Sequence, residues 1–557
     1  MLVRVLLAVT LLTTVALAPT VAPAATCESL AALALPDATI TVAESVPAGT
    51  FDPPGPPPPI SGLPAFCRVV GVATPTRHSV IGFEVWMPLA PSWNAKFQGV
   101  GSGGSAGAIQ YGVLAAALRR DYATMATDNG HIGSSWTFAF PPTGHPEKVV
   151  DFGYRAQHVT TVAAKAITQA FYGTAPRHSY FVGCSQGGHH ALMEVQRYPG
   201  DYDGVIAGAP ANFWSHLMVA ELWASLELSL KDPANAIPPS KIPVINQAVV
   251  NTCDALDGIV DGVIDDPRRC NLDPATLQCE GPDAPGCLTA AQVEGLRRTY
   301  DGPRNPRTGE RLYAAFPKGG EISWPGLYVG NPVPGGSSYE YFRHGVYEDP
   351  NWDFRSYDFD QDVVVADTKL FAGEPLAQVM DAVDPDLSAF RAFGGKLIMY
   401  HGWADGFVTP YNTVDYYNNV VAAMGQQRHV ADFARLFMVP GMGHCAGGPG
   451  PNAFGAPFGG APLRVDAEHD VLSALERWVE HGIAPDKIIA TRRTAGVVDR
   501  TRPLCPYPQV ARWTGSGSTD DAENFVCEFR GLDRADEGSG FESGLDGRNN
   551  ARRRPGR

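Results

Sequence analysis

A serine hydroxyl is a poor nucleophile until a neighbouring base takes its proton, and that base needs an acid to fix its tautomer. Three residues of this chain have the types and the order for such chemistry: Ser185, Asp405 and His444. Ser185 is the centre of Gly183-Cys184-Ser185-Gln186-Gly187, set between an apolar run at 179–182 and a helical pattern at 187–197. Small residues on both sides allow a turn so sharp that the hydroxyl is lifted above a sheet at a helix N-terminus. The motif alone arises by chance in many chains; its strand-turn-helix setting makes it informative. Asp405 follows the apolar run 396–400 and His444 follows 435–439, so each falls just past the C-terminal end of an expected strand, where α/β sheets carry their sites. The order serine, acid, histidine is that of a nucleophile-elbow enzyme. His401, His131, His189 and His190 lie outside that order or beside the serine and read as packing or supporting residues.

A tetrahedral intermediate needs two amide donors for its oxyanion. One is the residue after the serine, Gln186. The other belongs on a Gly-rich loop after an early strand, and Gly101-Ser102-Gly103-Gly104-Ser105-Ala106-Gly107 supplies it, with Gly103 as the candidate. The same loop fails as a dinucleotide-binding turn, because its spacing is not GxGxxG and no acidic partner follows on a second strand. Cys184 immediately precedes the serine and Cys445 immediately follows the histidine. If Ser185 and His444 are within hydrogen-bond reach, their neighbours fall within disulfide reach.

These residues need a scaffold, and the chain offers one. Strand-like runs at 80–87, 96–100, 122–127, 179–182 and 204–207 alternate with helical patterns at 154–171 and 187–197. That rhythm predicts an α/β fold: a mostly parallel sheet with helices on both faces. From 211 to about 395 the rhythm gives way to Pro, Gly, Trp and Tyr with clustered Asp and Cys, which predicts an inserted lid. The alternation resumes at 396–400 and 435–439, with helices expected at 411–424 and 467–481. The predicted organisation is a leader at 1–25, a first core segment at 26–210, the lid at 211–395, a second core segment at 396–530 and a disordered tail at 531–557. The leader has one Arg, an apolar stretch at 5–17 and the small residues Ala22-Pro23-Ala24-Ala25, the pattern of a cleaved secretory signal.

The 557 residues are 44% hydrophobic and 18% charged, which suits a buried core rather than a disordered chain. A net charge of −15 repels phosphate backbones and anionic lipid, so nucleic acid and membrane surfaces are not expected partners. Ten cysteines in an exported chain imply disulfides, and local spacing favours Cys253 with Cys270 and Cys279 with Cys287.

Taken together, Gly183-Cys184-Ser185-Gln186-Gly187-Gly188, Tyr400-His401-Gly402 with Asp405, Val439-Pro440-Gly441-Met442-Gly443-His444-Cys445, the segment from Cys253 to Cys270, and Arg502-Pro503-Leu504-Cys505-Pro506-Tyr507-Pro508 resemble the tannase and feruloyl esterase family, which includes mono(2-hydroxyethyl) terephthalate hydrolase. The resemblance runs from about Cys27 to Cys527. It implies an α/β-hydrolase core with a lid and a secreted serine esterase acting on small aromatic esters through an acyl-enzyme. It also implies the bridges Cys27 to Cys67, Cys184 to Cys445, Cys253 to Cys270, Cys279 to Cys287 and Cys505 to Cys527, and a structural calcium ion in the lid.

The calcium expectation has its own basis in the residues. Asp254, Asp257, Asp261 and Asp265 crowd into one short segment with Gly258 and Gly262, and unneutralised they repel one another. Calcium takes six to eight oxygens, and glycines let a chain curl around it. The spacing and the missing final Glu exclude an EF-hand. The bland reading is one face of a solvated helix, which two glycines and like charges three and four apart disfavour. By the resemblance, the side chains of Asp254, Asp257 and Asp261 and the carbonyls of Ile259 and Val263 are the ligands. Two other functions compete: a different serine hydrolase such as a lipase or peptidase, and a catalytically inactive calcium-binding protein on the same fold. A complete set of Ser185, Asp405 and His444 argues against the second. The mixed aromatic and polar lid, with Trp324, Tyr328, Tyr339, Tyr341, Phe342 and Trp352, argues against a lipase groove.

Overall fold

A computed structural model describes residues 25–55, 57–139, 144–232 and 236–529. The expected leader, apart from Ala25, and the expected tail lie outside the described residues. Nine strands form the central sheet: β1 (Ala38–Val46), β2 (Phe66–Ala73), β3 (Ile81–Pro88), β4 (Lys96–Val100), β5 (Ala123–Thr127), β6 (His178–Cys184), β7 (Gly204–Gly208), β8 (Lys396–Gly402) and β9 (Ala434–Val439). Their spatial order is β1-β2-β3-β5-β4-β6-β7-β8-β9. The pairs β1/β2, β2/β3 and β3/β5 are antiparallel, and the five pairings from β5/β4 to β8/β9 are parallel. This is the α/β-hydrolase arrangement, with the elbow after a central strand.

Side chains alternate across the sheet, as the period-2 pattern requires. Phe181, Val205, Ala207, Leu397, Met399 and Leu436 pack against helices α2 (Ala156–Tyr172), α3 (Gln186–Arg197) and α7 (Pro410–Met424). Tyr180, Val182, Ile206, Ile398, Tyr400, Phe437 and Val439 face the other way, onto α8 (Val471–His481). A shorter helix, α1 (Tyr111–Leu118), covers Phe66, Trp86 and Val100. Helix α8 begins four residues later than its apolar pattern, because Asp470 caps it by accepting the Ser473 amide at 2.7 Å. Gly482, at φ +70°, ends it.

Between β7 and β8 the chain builds a separate core on α4 (Trp214–Ser225), α5 (Ile242–Cys253) and α6 (Ala290–Asp301). Trp136, Phe138, Val149 and Phe152, from the connection between β5 and α2, join that core, whereas Ala382, Leu387 and Phe390 pack with the sheet. The lid aromatics Trp324, Tyr328, Tyr341, Phe342 and Trp352 are themselves buried in this core. After α8 come two antiparallel ribbons: Ile488–Thr494 with Val497–Leu504, and Gln509–Trp513 with Phe525–Phe529. All ten cysteines are bridged, Cys27–Cys67, Cys184–Cys445, Cys253–Cys270, Cys279–Cys287 and Cys505–Cys527, the pairing implied by the resemblance.

Candidate active site

Strand β6 ends at Cys184 and α3 starts at Gln186, so the whole turn is Ser185, held at φ +65°, ψ −122°. Few non-glycine residues tolerate that conformation, and here neighbouring hydrogen bonds pin it. The Ser185 amide donates to the Gly208 carbonyl at 3.0 Å, and its carbonyl accepts from His189 and Ala211 at 3.0 and 3.2 Å. The glycines are obligatory for packing: a Cβ on Gly183 would sit 2.2 Å from the Gly187 carbonyl oxygen, and one on Gly188 would sit 2.3 Å from that of Gly208.

Strands β8 and β9 are in register at Gly402 and Val439, which sets their C-terminal loops side by side. Trp403 and Ala404 donate backbone bonds of 2.9 Å to Val439 and Met442, locking the loop of Asp405 onto that of His444. His444 Nε2 lies 2.8 Å from Ser185 Oγ, and its Nδ1 lies 2.7 Å from Asp405 Oδ2. Asp405 is fully buried, yet both of its oxygens are satisfied. Oδ1 accepts the Phe407 and Val408 amides at 2.9 and 3.0 Å, and Oδ2 also meets His401 Nε2 at 3.0 Å. Burial alone would raise this carboxyl's pKa; the charge of His444 and the hydrogen bonds from His401 and His444 outweigh it and hold Asp405 well below the usual carboxylate range. His401 Nδ1 is 2.7 Å from Thr413 Oγ1, and its Nε2 is also 2.8 Å from the Val408 carbonyl, so its ring orientation is fixed. The supporting role expected of His401 thus takes a definite form: it is a second imidazole on the same carboxylate. Only the His-Gly-x-x-Asp spacing could have suggested this. Phe407, partly buried, stands edge-on to His444 with ring centres 5.0 Å apart.

The Gly-rich loop follows β4 and crosses the elbow at contact distance, since a Cβ on Gly101 would lie 2.4 Å from Gly187 Cα. The loop turns back through a 3.2 Å bond from the Ala106 amide to the Gly103 carbonyl, and the space where a Gly103 side chain would sit is open. Gln186 is the first residue of α3, so its amide belongs to the helix N-terminus, the end favourable to negative charge. The bridge Cys184–Cys445 joins the residue before Ser185 to the residue after His444. A carboxylate, an imidazole and a hydroxyl in this chain of contacts can ionise the hydroxyl and carry its proton to a leaving group.

The acidic segment lies in the lid. Helix α5 ends at Cys253, Asp254–Asp257 form one tight turn, and Gly258 and Gly262, at φ +92° and +77°, curl the chain back. That geometry is a loop, not a solvated helix. Asp254 is buried and accepts the Asp261 and Gly262 amides at 3.2 and 3.1 Å; Asp257 accepts the Ile259 amide and Asp261 the Val263 amide at 2.9 and 3.1 Å. Arg500 and Arg502, from the C-terminal ribbon, reach Asp261 Oδ2 at 3.0 and 2.9 Å. Asp257, Asp261, Val263 and Asp265 line one small cleft. Among the described residues, the one group of three metal-type ligands with atoms within 4.8 Å of one another is His158, Glu194 and Asp201, not this loop. The donor chemistry of the loop, carboxylates and carbonyls around a curled backbone, nevertheless suits calcium.

Comparison with known proteins extends these observations. A family model described as tannase and feruloyl esterase matches residues 67–528. An uncharacterized esterase of Xanthomonas campestris pv. campestris is 46% identical over 92% of both chains. The mono(2-hydroxyethyl) terephthalate hydrolase of Piscinibacter sakaiensis is 35% identical, covering 84% of this chain and 85% of its own. The crystal structure of feruloyl esterase B from Aspergillus oryzae superposes with a TM-score of 0.83 at 30% identity, over 90% of this chain and 99% of that one. The chain is a carboxylic ester hydrolase and belongs to the tannase and feruloyl esterase family.

Proposed function

We propose that the protein is a serine esterase that cleaves small aromatic carboxylic esters, hydroxycinnamoyl, galloyl or similar aryl esters, through an acyl-enzyme. The observation that carries this reading is the unbroken contact from Ser185 Oγ through His444 to Asp405, at 2.8 and 2.7 Å. Ser185 Oγ attacks the ester carbonyl carbon while His444 Nε2 takes its proton. The oxyanion is stabilised by the backbone amides of Gly103 and Gln186. As the intermediate collapses, His444 returns the proton to the departing alcohol. Water then enters by the same route, and the acid is released. Asp405, kept ionised, holds the imidazole tautomer and stabilises the imidazolium. The names of the relatives supply the aromatic acyl group, and Phe407 beside His444 offers an aryl ring an edge to pack against.

Calcium belongs to the same proposal. The side chains of Asp254, Asp257 and Asp261 with the carbonyls of Ile259 and Val263 would hold it, and the ion would neutralise the loop's charge rather than act in the reaction. Export to an oxidising compartment, periplasmic or extracellular, is supported by the leader-like N-terminus and the five bridges, and no helix among the described residues is long and apolar enough to cross a membrane. The test is a panel of feruloyl, galloyl and terephthaloyl esters with the released acid quantified. Wild type should release aryl acid, and Ser185→Ala should lose on the order of a millionfold in kcat with its melting temperature unchanged. Ester cleavage surviving in Ser185→Ala at a tenth of the wild-type rate would remove the serine mechanism.

A further inference from the structure

Two peptide segments far apart in the chain carry the proposed oxyanion donors; strand pairing and the bond from the Gly101 amide to the Val182 carbonyl bring their bases together, and beyond that point buried side chains join them. Five side chains that no reacting atom touches run from one segment to the other. Asn129, just after β5, donates from Nδ2 to Ser102 Oγ at 2.9 Å and to the Ala106 carbonyl at 3.1 Å, so it grips the Gly103 loop on both sides of the turn. Gln157 on α2 donates from Nε2 to Asn129 Oδ1 at 3.1 Å and lies 3.2 Å from His190 Nδ1. His190 Nε2 on α3 is 3.0 Å from the side-chain amide of Gln186. Neutral imidazole has one N–H and one lone pair, and both glutamines turn their Nε2 to the ring, so it accepts from only one of them; the Phe152 backbone also hydrogen-bonds the ring.

Ser102, Asn129, Gln157, His190 and Gln186 are each no more than 2% exposed. A polar chain this deep is expensive to bury, and each hydrogen bond it makes narrows its geometry, although Gln157 Oε1 and Gln186 Oε1 have no partner. Asn129 sits at φ +57°, a backbone state that Asn adopts more readily than most residues. The chain therefore begins at a residue suited to its unusual place. It ends on the side chain of the very residue whose backbone amide completes the hole.

We propose that Asn129, Gln157 and His190 are positioning residues that lock the two halves of the oxyanion hole together through this relay between Ser102 and Gln186. The proposal rests on the reading of Ser185 as nucleophile with Gly103 and Gln186 as donors. An oxyanion donor is effective only within about 2.7–3.1 Å of the developing charge, and losing one outright lowers kcat roughly 100- to 1000-fold. A loosened hole should fall short of that.

The test variant is Gln157→Met, which keeps the chain length and the burial but breaks the relay at its middle. Its kcat on an aryl ester should fall about 10- to 100-fold while KM stays within about threefold, because the ground-state carbonyl depends on the hole less than the tetrahedral oxyanion does. Phenylboronic acid, which adds to Ser185 as a tetrahedral anion, should lose affinity by the same factor as kcat. Ser102→Ala, which removes only the terminal acceptor, should show the same split at smaller size, about 3- to 10-fold, and decides the question if Gln157→Met does not fold. Unchanged kcat in the folded variant, or a raised KM with kcat and boronate affinity intact, overturns the relay. A wild-type enzyme that binds no boronate and is indifferent to Ser185→Ala overturns the serine reading instead.

Discussion

Replacing Cys184 and Cys445 together should cripple turnover in a protein that still folds. The bridge closes a loop of 261 residues, for which chain entropy gives a stabilisation of about 5–6 kcal/mol, against about 2–3 kcal/mol for the eight-residue loop of Cys279–Cys287. Spread over the roughly 500 described residues, the larger figure lowers the melting temperature by only about 5 °C. The local effect is greater. Cys445 sits at φ +60°, a left-handed state that costs a non-glycine residue about 1–2 kcal/mol and that the bridge to the elbow helps to hold. With alanine at both positions the backbone after His444 can relax, and the 2.8 Å contact to Ser185 opens. A shift of about 1 Å there costs on the order of a hundredfold in rate. Steady-state kinetics on a chromogenic aryl ester, with circular dichroism at the same temperature, should show kcat down about 100-fold, KM nearly unchanged and the fold intact. Cys184→Ala with Cys445→Gly should recover part of the loss, since glycine keeps the left-handed conformation without strain. A folded Cys184→Ala/Cys445→Ala enzyme with wild-type kcat would show that the elbow bonds and Asp405 position the site without the bridge.

Asp405→Asn should lower kcat about 10,000-fold with the fold preserved, because an amide cannot stabilise the imidazolium or hold the needed tautomer; stopped assays with concentrated enzyme can measure the residue of activity. Exhaustive EDTA treatment should lower the melting temperature while leaving kcat at 25 °C unchanged, and Asp257→Ala should have the same effect without adding to it; equal melting curves with and without chelator count against the ion. Stability should also decline from mildly acidic to mildly basic pH. Burial pushes the Glu221 carboxyl up to about 8, even though the Ser337 and Ser338 amides oppose the shift, whereas in the unfolded chain it ionises near pH 4.3. The fold therefore favours the neutral form, and the stability it contributes is complete below about pH 4 and lost as the pH rises towards 8, by an amount on the order of a few kcal/mol. Glu221→Gln should flatten that slope, measured as urea midpoints at pH 5 and pH 8, and an unaltered slope would contradict it.

How much of this was legible depends on where each residue's partners lie. Strands β4, β6, β7, β8 and β9 are short apolar runs between breakers, and each was locatable to within a residue or two. Strand β1 was not, because it edges the sheet with only Ile40 buried, so its pattern carries little apolar signal. Strand β2, although largely buried, lies among Pro-rich and irregular segments that mask its alternation. In the C-terminal ribbons, Gln509–Trp513 has no buried residue and Val497–Leu504 buries arginines, so neither carries a clear apolar alternation. The lid was recognisable only as a lapse in rhythm. Its core draws on Trp136 and Phe152, which precede it by some 60 residues and more, a contact that no local pattern announces.

The active site divides the same way. Ser185, Asp405 and His444 could be read because each is tied to a local device: two glycine contacts for the serine, and a strand end for the acid and the base. His401 could be named but not interpreted, since its meaning lies in a bond to Asp405 that requires the loop 403–408 to fold back on the strand. The relay from Ser102 to Gln186 was invisible: its links join residues 27, 28 and 33 positions apart, and each of those residues alone resembles an ordinary core polar group. Likewise Asp261 meets Arg500 across 239 residues, which ties the acidic loop to a ribbon that follows the last helix. What a sequence displays locally is therefore the set of groups that react. The groups that hold them at working distance become visible only when the chain has closed on itself, and here these are the ones whose removal should change kcat while KM stays put.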